Sequence, residues 1–433
     1  MPSTLVSPAP ATSTSDRAAA LLRRFRATRD FSTRICQGLQ PEDFVVQSMP
    51  DVSPTKWHLA HTTWFFETFV VKQWVTGYRS EVPEYAYLFN SYYNAAGTMH
   101  RRDLRGLISR PTVRETFRFR QSIDECVVKL IEGADESLVA EIESIVVLGI
   151  QHEQQHQELL VTDIKHVFAQ NPLHPVFEKR ESAVESGQVS PMRFLEFDEA
   201  TVEIGYAGSE FSYDNEGPRH RALVLPFSLA HRTVTNGEYL AFIDAGGYAR
   251  SEYWLSLGWT TAQDQRWEAP LYWERIDGQW WNFTLSGFRP IEESEPVTHL
   301  SYFEADAYAN WDGARLPTEF EWERASTGLP IGGNFVDNHR FHPAAATAGG
   351  EGLQQMFGDT WEWTRSAYLP YPGYRAAPGA LGEYNGKFMC NQMVLRGGSC
   401  ATSQNHMRPT YRNFFQPEKR WQFTGLRLAR DLS

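Results

Sequence analysis

The chain has 433 residues, a formal charge of −12 at pH 7, and 42% hydrophobic, 22% charged and 14% aromatic residues. That length is long for one core, so two domains are expected, and the acidic balance argues against an extended nucleic-acid surface. Four widely spaced cysteines, Cys36, Cys126, Cys390 and Cys400, form no CxxC pair, which argues against a disulfide framework or zinc knuckle and for a reducing cytoplasm.

Residues 1–15 (MPSTLVSPAPATSTS) hold no basic residue and no sustained apolar core, so they read as a disordered tail rather than a secretory signal. Asp16 is placed to cap a helix running to about Leu39, with Leu21, Leu22 and Phe25 on its apolar stripe. Ser53-Pro54 is a second helix start, a capping serine before a first-turn proline, and the helix it opens carries Trp57, His61, Trp64, Phe65, Thr68 and Phe69. Pro83 to Thr98 is a long aromatic connection of the kind that usually serves function. Arg110-Pro111-Thr112 opens a third helix to about Glu132, and Leu138 to Asn171 is the fourth. Four such helices predict an all-α antiparallel four-helix bundle over 16–170, and bundles build metal sites from inward side chains on facing helices. Residues 171–191, with prolines and mixed charge, read as a linker. From 192 to 433, short periodic runs and dense glycine pairs predict a loop-rich α+β domain, so the chain reads as multidomain. The most apolar runs, such as Ser144 to Ile150, are too short to span a bilayer.

Within the fourth helix lies His152-Glu-Gln-Gln-His156. Residues four apart share a helix face, so both imidazoles reach one metal ion. The same stripe carries Ile145, Leu148, Leu159 and Asp163, which points the histidines at an interior. HExxH is also the mark of zinc peptidases, with Glu153 as general base and Glu178 as a distant third ligand. The bundle offers His58 or His61 instead. Three neutral imidazoles suit Fe(II) and leave adjacent positions open, whereas a structural zinc would want a fourth protein ligand.

The pairing of Leu59-Ala-His61 with HEQQH (152–156) resembles the DinB-like bundle of the ergothioneine-biosynthesis sulfoxide synthases. The segments DNEGPRH (214–220), VTNGEYLAFIDAGGY (234–248), ARLPTEFEWERAS (314–326), GDTWEWT (358–364), LRGGS (395–399) and FTGLRLAR (423–430) resemble the formylglycine-generating-enzyme (sulfatase-modifying-factor) fold, a modified C-type-lectin-like domain. The resemblance implies a non-haem Fe(II) enzyme that uses O2 to join a cysteinyl sulfur to C2 of the imidazole of hercynine and oxidises that sulfur to a sulfoxide. It implies iron ligands His61, His152 and His156, hercynine contacts from Gln155 and Asn413, and Phe414 and Phe415 facing the trimethylammonium group, which aromatic faces hold well.

Phe415 departs from the acidic residue that helps the actinobacterial branch bind γ-glutamylcysteine, which favours free cysteine as the thiol. No C-terminal tyrosine matches the catalytic one of that branch, while Tyr92-Tyr93 lie in the aromatic connection and are expected to deliver a proton. Arg102 and Arg105 follow it and are expected to hold the thiol substrate's carboxylate bidentately. Three alternatives stand beside this reading. A formylglycine-generating enzyme would need a close cysteine pair, and Cys390 and Cys400 are ten apart. An ovothiol-type 5-histidylcysteine sulfoxide synthase usually carries a methyltransferase domain, for which no segment is expected after FTGLRLAR. A non-catalytic, metal-stabilised binding module is the third.

Overall fold

A computed structural model of the protein describes residues 14–179, 189–379 and 382–432. Residues 1–13 of the expected tail and 180–188 of the expected linker lie outside the described residues. Four long helices, α1 (Thr14–Ile35), α2 (Thr55–Phe66), α3 (Val113–Glu132) and α4 (Glu136–Ala169), pack into one body in which α1 and α2 each touch both α3 and α4. None of the described helices is long and apolar enough to cross a membrane.

The local chemistry explains the ends. Thr112 and Glu115 form a reciprocal capping box at the start of α3, and the Asp135 side chain accepts from the Leu138 N–H at the start of α4. The α2 start differs from expectation. Ser53 does not cap it; its Oγ accepts from Arg105 Nη1 at 2.9 Å and its N–H donates to Asp163 Oδ2 at 2.8 Å, so the serine joins the site instead. α2 continues through a π-helical turn, Glu67–Val71, into Lys72–Trp74. The aromatic connection contains the short helix Tyr85–Phe89, and Arg102–Leu107 forms a 3-10 helix.

α2 and α4 approach closely because α4 has glycine at 149, where a Cβ would sit 2.6 Å from Phe66 Cε1. That approach lies one turn before His152.

The second half is sheet-containing. A four-stranded sheet runs in the order Asn413–Phe415, Met393–Arg396, Trp361–Ala367, Thr424–Gly425, with the last pair parallel. A three-stranded antiparallel sheet joins Phe194–Phe197 and Ala429–Asp431 to the two edges of Phe227–Ala230. The segments singled out in the sequence meet in buried ion pairs: Arg427 donates to both oxygens of Glu362 at 2.7 and 2.9 Å, and Arg396 to Glu319 and Glu323 at 3.1 and 2.8 Å. Buried charges persist only when so paired, so these pairs hold the segments together.

Each half has an apolar core, and a third cluster spans both. Leu160, Val161, Ile164 and Phe168 of α4 and Ile35, Leu39 and Leu59 pack with Phe283, Phe341, Cys400 and Phe423 of the sheet half. The seam between the halves is therefore itself a core.

Candidate metal centre and substrate cavity

From Ile145 to Phe168, α4 is buried or half-buried on all sides because each face meets a different partner. Gln151, Gln154, Gln155 and Glu158 face the sheet half, contacting His406, Asn405, Tyr411 and Trp361. Glu153 and Gln157 face α1 and contact Ser32. His152 and His156 face α2.

There the ligand nitrogens of His61, His152 and His156 all lie within 4.8 Å of one another. His61 Nδ1 donates to the Phe89 carbonyl, which leaves its Nε2 as the lone-pair atom, 3.2 Å from His152 Nε2. Burial holds all three imidazoles in the neutral form. It pushes His152 down to about 4, and it pushes His61 and His156 well below the usual histidine value, helped by neighbouring His152 and His61 respectively. Three neutral, inward imidazoles with His152 Nδ1 buried and without a hydrogen-bond partner fit a divalent transition metal. His58 stands behind His156 rather than beside the other three, its Nδ1 at 2.9 Å from His156 Nδ1.

The three histidines form one wall of a cavity of about 270 Å³ built by both halves. Trp57 stacks on His61 (4.7 Å between ring centroids, 11° between planes), and the Arg105 guanidinium carbon lies 3.3 Å from the Trp57 ring centre. Arg105 also donates to Ser53 and Ser91, and burial together with the adjacent Arg102 pushes it down to about 9. Arg102 donates to the Tyr92 hydroxyl and to the Asp51 carbonyl. Nε of both arginines is buried without a hydrogen-bond partner among the described residues.

The opposite wall comes from the edge strand of the four-stranded sheet. Asn413, Phe414 and Phe415 line the cavity, with Phe414 stacked on Tyr368 at 4.0 Å and near-parallel to Phe388 at 5.8 Å. Gln155 lines it too, its Nε2 donating to the Tyr411 hydroxyl at 2.8 Å.

Of the residues expected from sequence, His61, His152, His156, Gln155, Asn413, Phe414, Phe415, Tyr92, Arg102 and Arg105 all line this one cavity. Tyr93 does not; it packs against Trp64 and Phe69 in the bundle core and borders a second groove that shares His152 and Gln155 with the cavity. Tyr92 takes a left-handed backbone (φ 66°), a conformation that costs a non-glycine residue roughly 1–3 kcal/mol and clusters at functional sites. The zinc-peptidase reading is corrected: Glu153 points away from the histidines into a cage of Arg29, Arg120 and Ser32, and Glu178 is exposed. Sequence reasoning missed Tyr411 and Trp421, which enter the cavity from the sheet half. Their only signal was adjacency to Asn413 and to FTGLRLAR.

The comparisons with known proteins agree with this division. The family of the sulfatase-modifying factor enzyme 1-like domain matches residues 196–351 and 340–432. Hercynine oxygenase of Mycobacterium tuberculosis is 39% identical over 254 residues, 53% of this chain and 58% of that protein. Its namesake in Mycolicibacterium smegmatis is 39% identical over 253 residues, 51% of this chain and 56% of that protein. Ergothioneine biosynthesis protein 1 of Schizosaccharomyces pombe is 30% identical over 246 residues, 54% of this chain and 29% of that protein. The chain thus spans a little over half the length of the two hercynine oxygenases it matches. With more than half of its sequence matched, the chain belongs to the sulfatase-modifying factor enzyme 1-like domain family.

Proposed function

We propose that the protein is a non-haem Fe(II)- and O2-dependent sulfoxide synthase of the cytoplasm, joining the sulfur of cysteine (or γ-glutamylcysteine) to C2 of the hercynine imidazole. The observation that carries the reading is the single cavity in which three neutral imidazoles face the aromatic strand Asn413–Phe415. Its helical part, residues 16–170, is a DinB-like four-helix bundle; residues 171–191 link it to the 192–433 domain.

His61, His152 and His156 would hold the iron, whose chemistry when bound is activation of O2 for oxidation of the thiolate sulfur. The remaining work belongs to the chain. Phe414 and Phe415 line the cavity with aromatic surface suited to a trimethylammonium group, which has no donor to satisfy. Gln155 spends its N–H on Tyr411, so its Oε1 is the atom presented to an imidazole N–H. Arg102, half-buried, and Arg105, buried, are adjacent cations whose Nε groups have no hydrogen-bond partner among the described residues, and they suit a carboxylate. Tyr92 lines the cavity and accepts a hydrogen bond from Arg102, which places it, rather than Tyr93, to deliver a proton there.

A formylglycine-generating role is disfavoured by the cysteines. Cys390 is exposed and Cys400 is buried, and burial pushes the Cys400 thiol well up, opposite to what copper ligation needs.

The test is anaerobic Fe(II) reconstitution followed by mass spectrometry of products formed in air from hercynine with cysteine or with γ-glutamylcysteine. A sulfoxide adduct is expected, in higher yield with cysteine. Iron uptake without turnover would leave a metal-stabilised binding module. Equal kcat/KM for histidine and hercynine would move the activity to the ovothiol type.

A further inference from the structure

His156 makes a contact that the other two histidines lack. His58 sits between it and Asp163, with His58 Nδ1 2.9 Å from His156 Nδ1 and His58 Nε2 3.0 Å from Asp163 Oδ2. Both members of the outer pair are nearly inaccessible, at 3% and 4% side-chain exposure. Asp163 is itself fixed by two further donors, the Ser53 N–H at 2.8 Å and the Trp421 indole N–H at 3.0 Å.

The proton positions follow from the ends. A carboxylate accepts and does not donate, so His58 carries its proton on Nε2. A metal ligand must keep a lone pair on the coordinating nitrogen. His156 therefore carries its proton on Nδ1 and gives it to the lone pair of His58 Nδ1, which leaves Nε2 toward His61 and His152. One arrangement alone satisfies every atom in the row.

Resting on the metal assignment above, we infer that Asp163 and His58 are positioning residues that fix the tautomer and ring orientation of His156, and that Trp421 couples this relay to the sheet half. The three ligands then differ in support. His61 is oriented by a backbone carbonyl, His156 by a carboxylate acting through a second imidazole, and His152 Nδ1 by no hydrogen bond. Outer partners of this kind raise ligand basicity, and their loss typically weakens metal binding about 10–100-fold.

The experiment is anaerobic Co(II) titration of the full chain, read by the visible d–d absorption, for wild type, His58→Phe, His58→Gln, Asp163→Asn and the double variant His58→Phe/Asp163→Asn. Phenylalanine keeps the packing and removes both hydrogen bonds. Glutamine keeps an acceptor for His156 and a donor for Asp163. Expected are about 10–100-fold weaker Co(II) binding and a shifted d–d band for His58→Phe and Asp163→Asn, recovery of most of the affinity in His58→Gln, and a double variant no weaker than the weaker single one. Wild-type affinity in His58→Phe, no recovery in His58→Gln, or additive losses in the double variant would overturn the relay. Absence of Co(II) binding in the wild type itself would overturn the metal assignment instead, so the two failures are distinguishable.

Discussion

His152 and Glu153 are adjacent on α4 and equally deep, yet their surroundings are opposite. Glu153 is 1% exposed and saturated: Arg29 donates to one oxygen at 2.6 Å, and Ser32 (2.6 Å) and Arg120 donate to the other. Burial alone would raise its pKa, but Arg120 and Arg29 override this and hold it at about 2. His152 is also buried and His156 half-buried, yet their nitrogens meet other nitrogens and a cavity rather than a directly bonded carboxylate among the described residues. A saturated buried charge is structural, tying α1 and α3 to α4. A cluster of imidazole lone pairs beside a cavity is an arrangement that could hold a metal ion. The same five-residue motif supplies both, on faces about 100° apart on the helix.

The sharpest way to break the comparison is to exchange the roles of its two sides. Removing one lone pair (His61→Ala, His152→Ala or His156→Ala) is expected to abolish Fe(II) uptake measured by metal analysis, while His166→Ala, which faces Ser48, leaves it intact. Glu153→Gln should do the reverse. It removes the charged partner of buried Arg120 and one of the two of Arg29, which keeps Asp124 at 2.7 Å, so a stability loss of about 3–5 kcal/mol is expected by urea unfolding, with the folded fraction still taking up one metal. A Glu153→Gln protein of normal stability that had lost metal would restore the peptidase-like role of that glutamate.

The pH dependence sharpens the same contrast. Glu153 has a folded-state pKa lowered from 4.5 to about 2, so its stabilisation is full above pH 4.5 and is lost as the pH falls toward 2. Wild type should therefore lose stability across pH 4.5 to 2 more steeply than Glu153→Gln; parallel curves would mean that the cage is not the group being titrated. A further expectation concerns chemistry. Tyr92→Phe should slow adduct formation about 100-fold or more, with simple oxidation of the thiol rising among the products by mass spectrometry, whereas Tyr93→Phe, packed in the bundle, should change product ratios little. Smallest is Gly149→Ala, which must displace Phe66 and spread α2 from α4; a loss of about 1–3 kcal/mol is expected by thermal unfolding.

What was legible in the sequence follows from where the information lies. An i, i+4 histidine pair on a periodic run is local, so His152 and His156 could be read directly. The helical start at Arg110-Pro111-Thr112 was likewise local, and α3 begins at Val113. His58 and His61 could not be separated by pattern, because both are buried on α2 and the distinction rests on what α4 places opposite each. Ser53 looked like a cap and instead serves Arg105 and Asp163, since tertiary partners outbid local chemistry at a buried end. Tyr411 and Trp421 reach α4 across more than 250 residues of sequence, through contacts with Gln155 and Asp163 that no periodicity records. The choice of Tyr92 over Tyr93 for the cavity depends on a single left-handed residue, which a loop sequence without glycine at that position does not announce.

The central claim is that the open cluster, and not its saturated neighbour, holds the metal. Anomalous diffraction from crystals grown with Fe(II) under anaerobic conditions tests it most directly. The expected result is one iron peak about 2.1 Å from a nitrogen of each of His61, His152 and His156, with Glu153 still enclosed by Arg29 and Arg120. A peak ligated by His58 in place of His61, or one that draws Glu153 out of its cage, would contradict it.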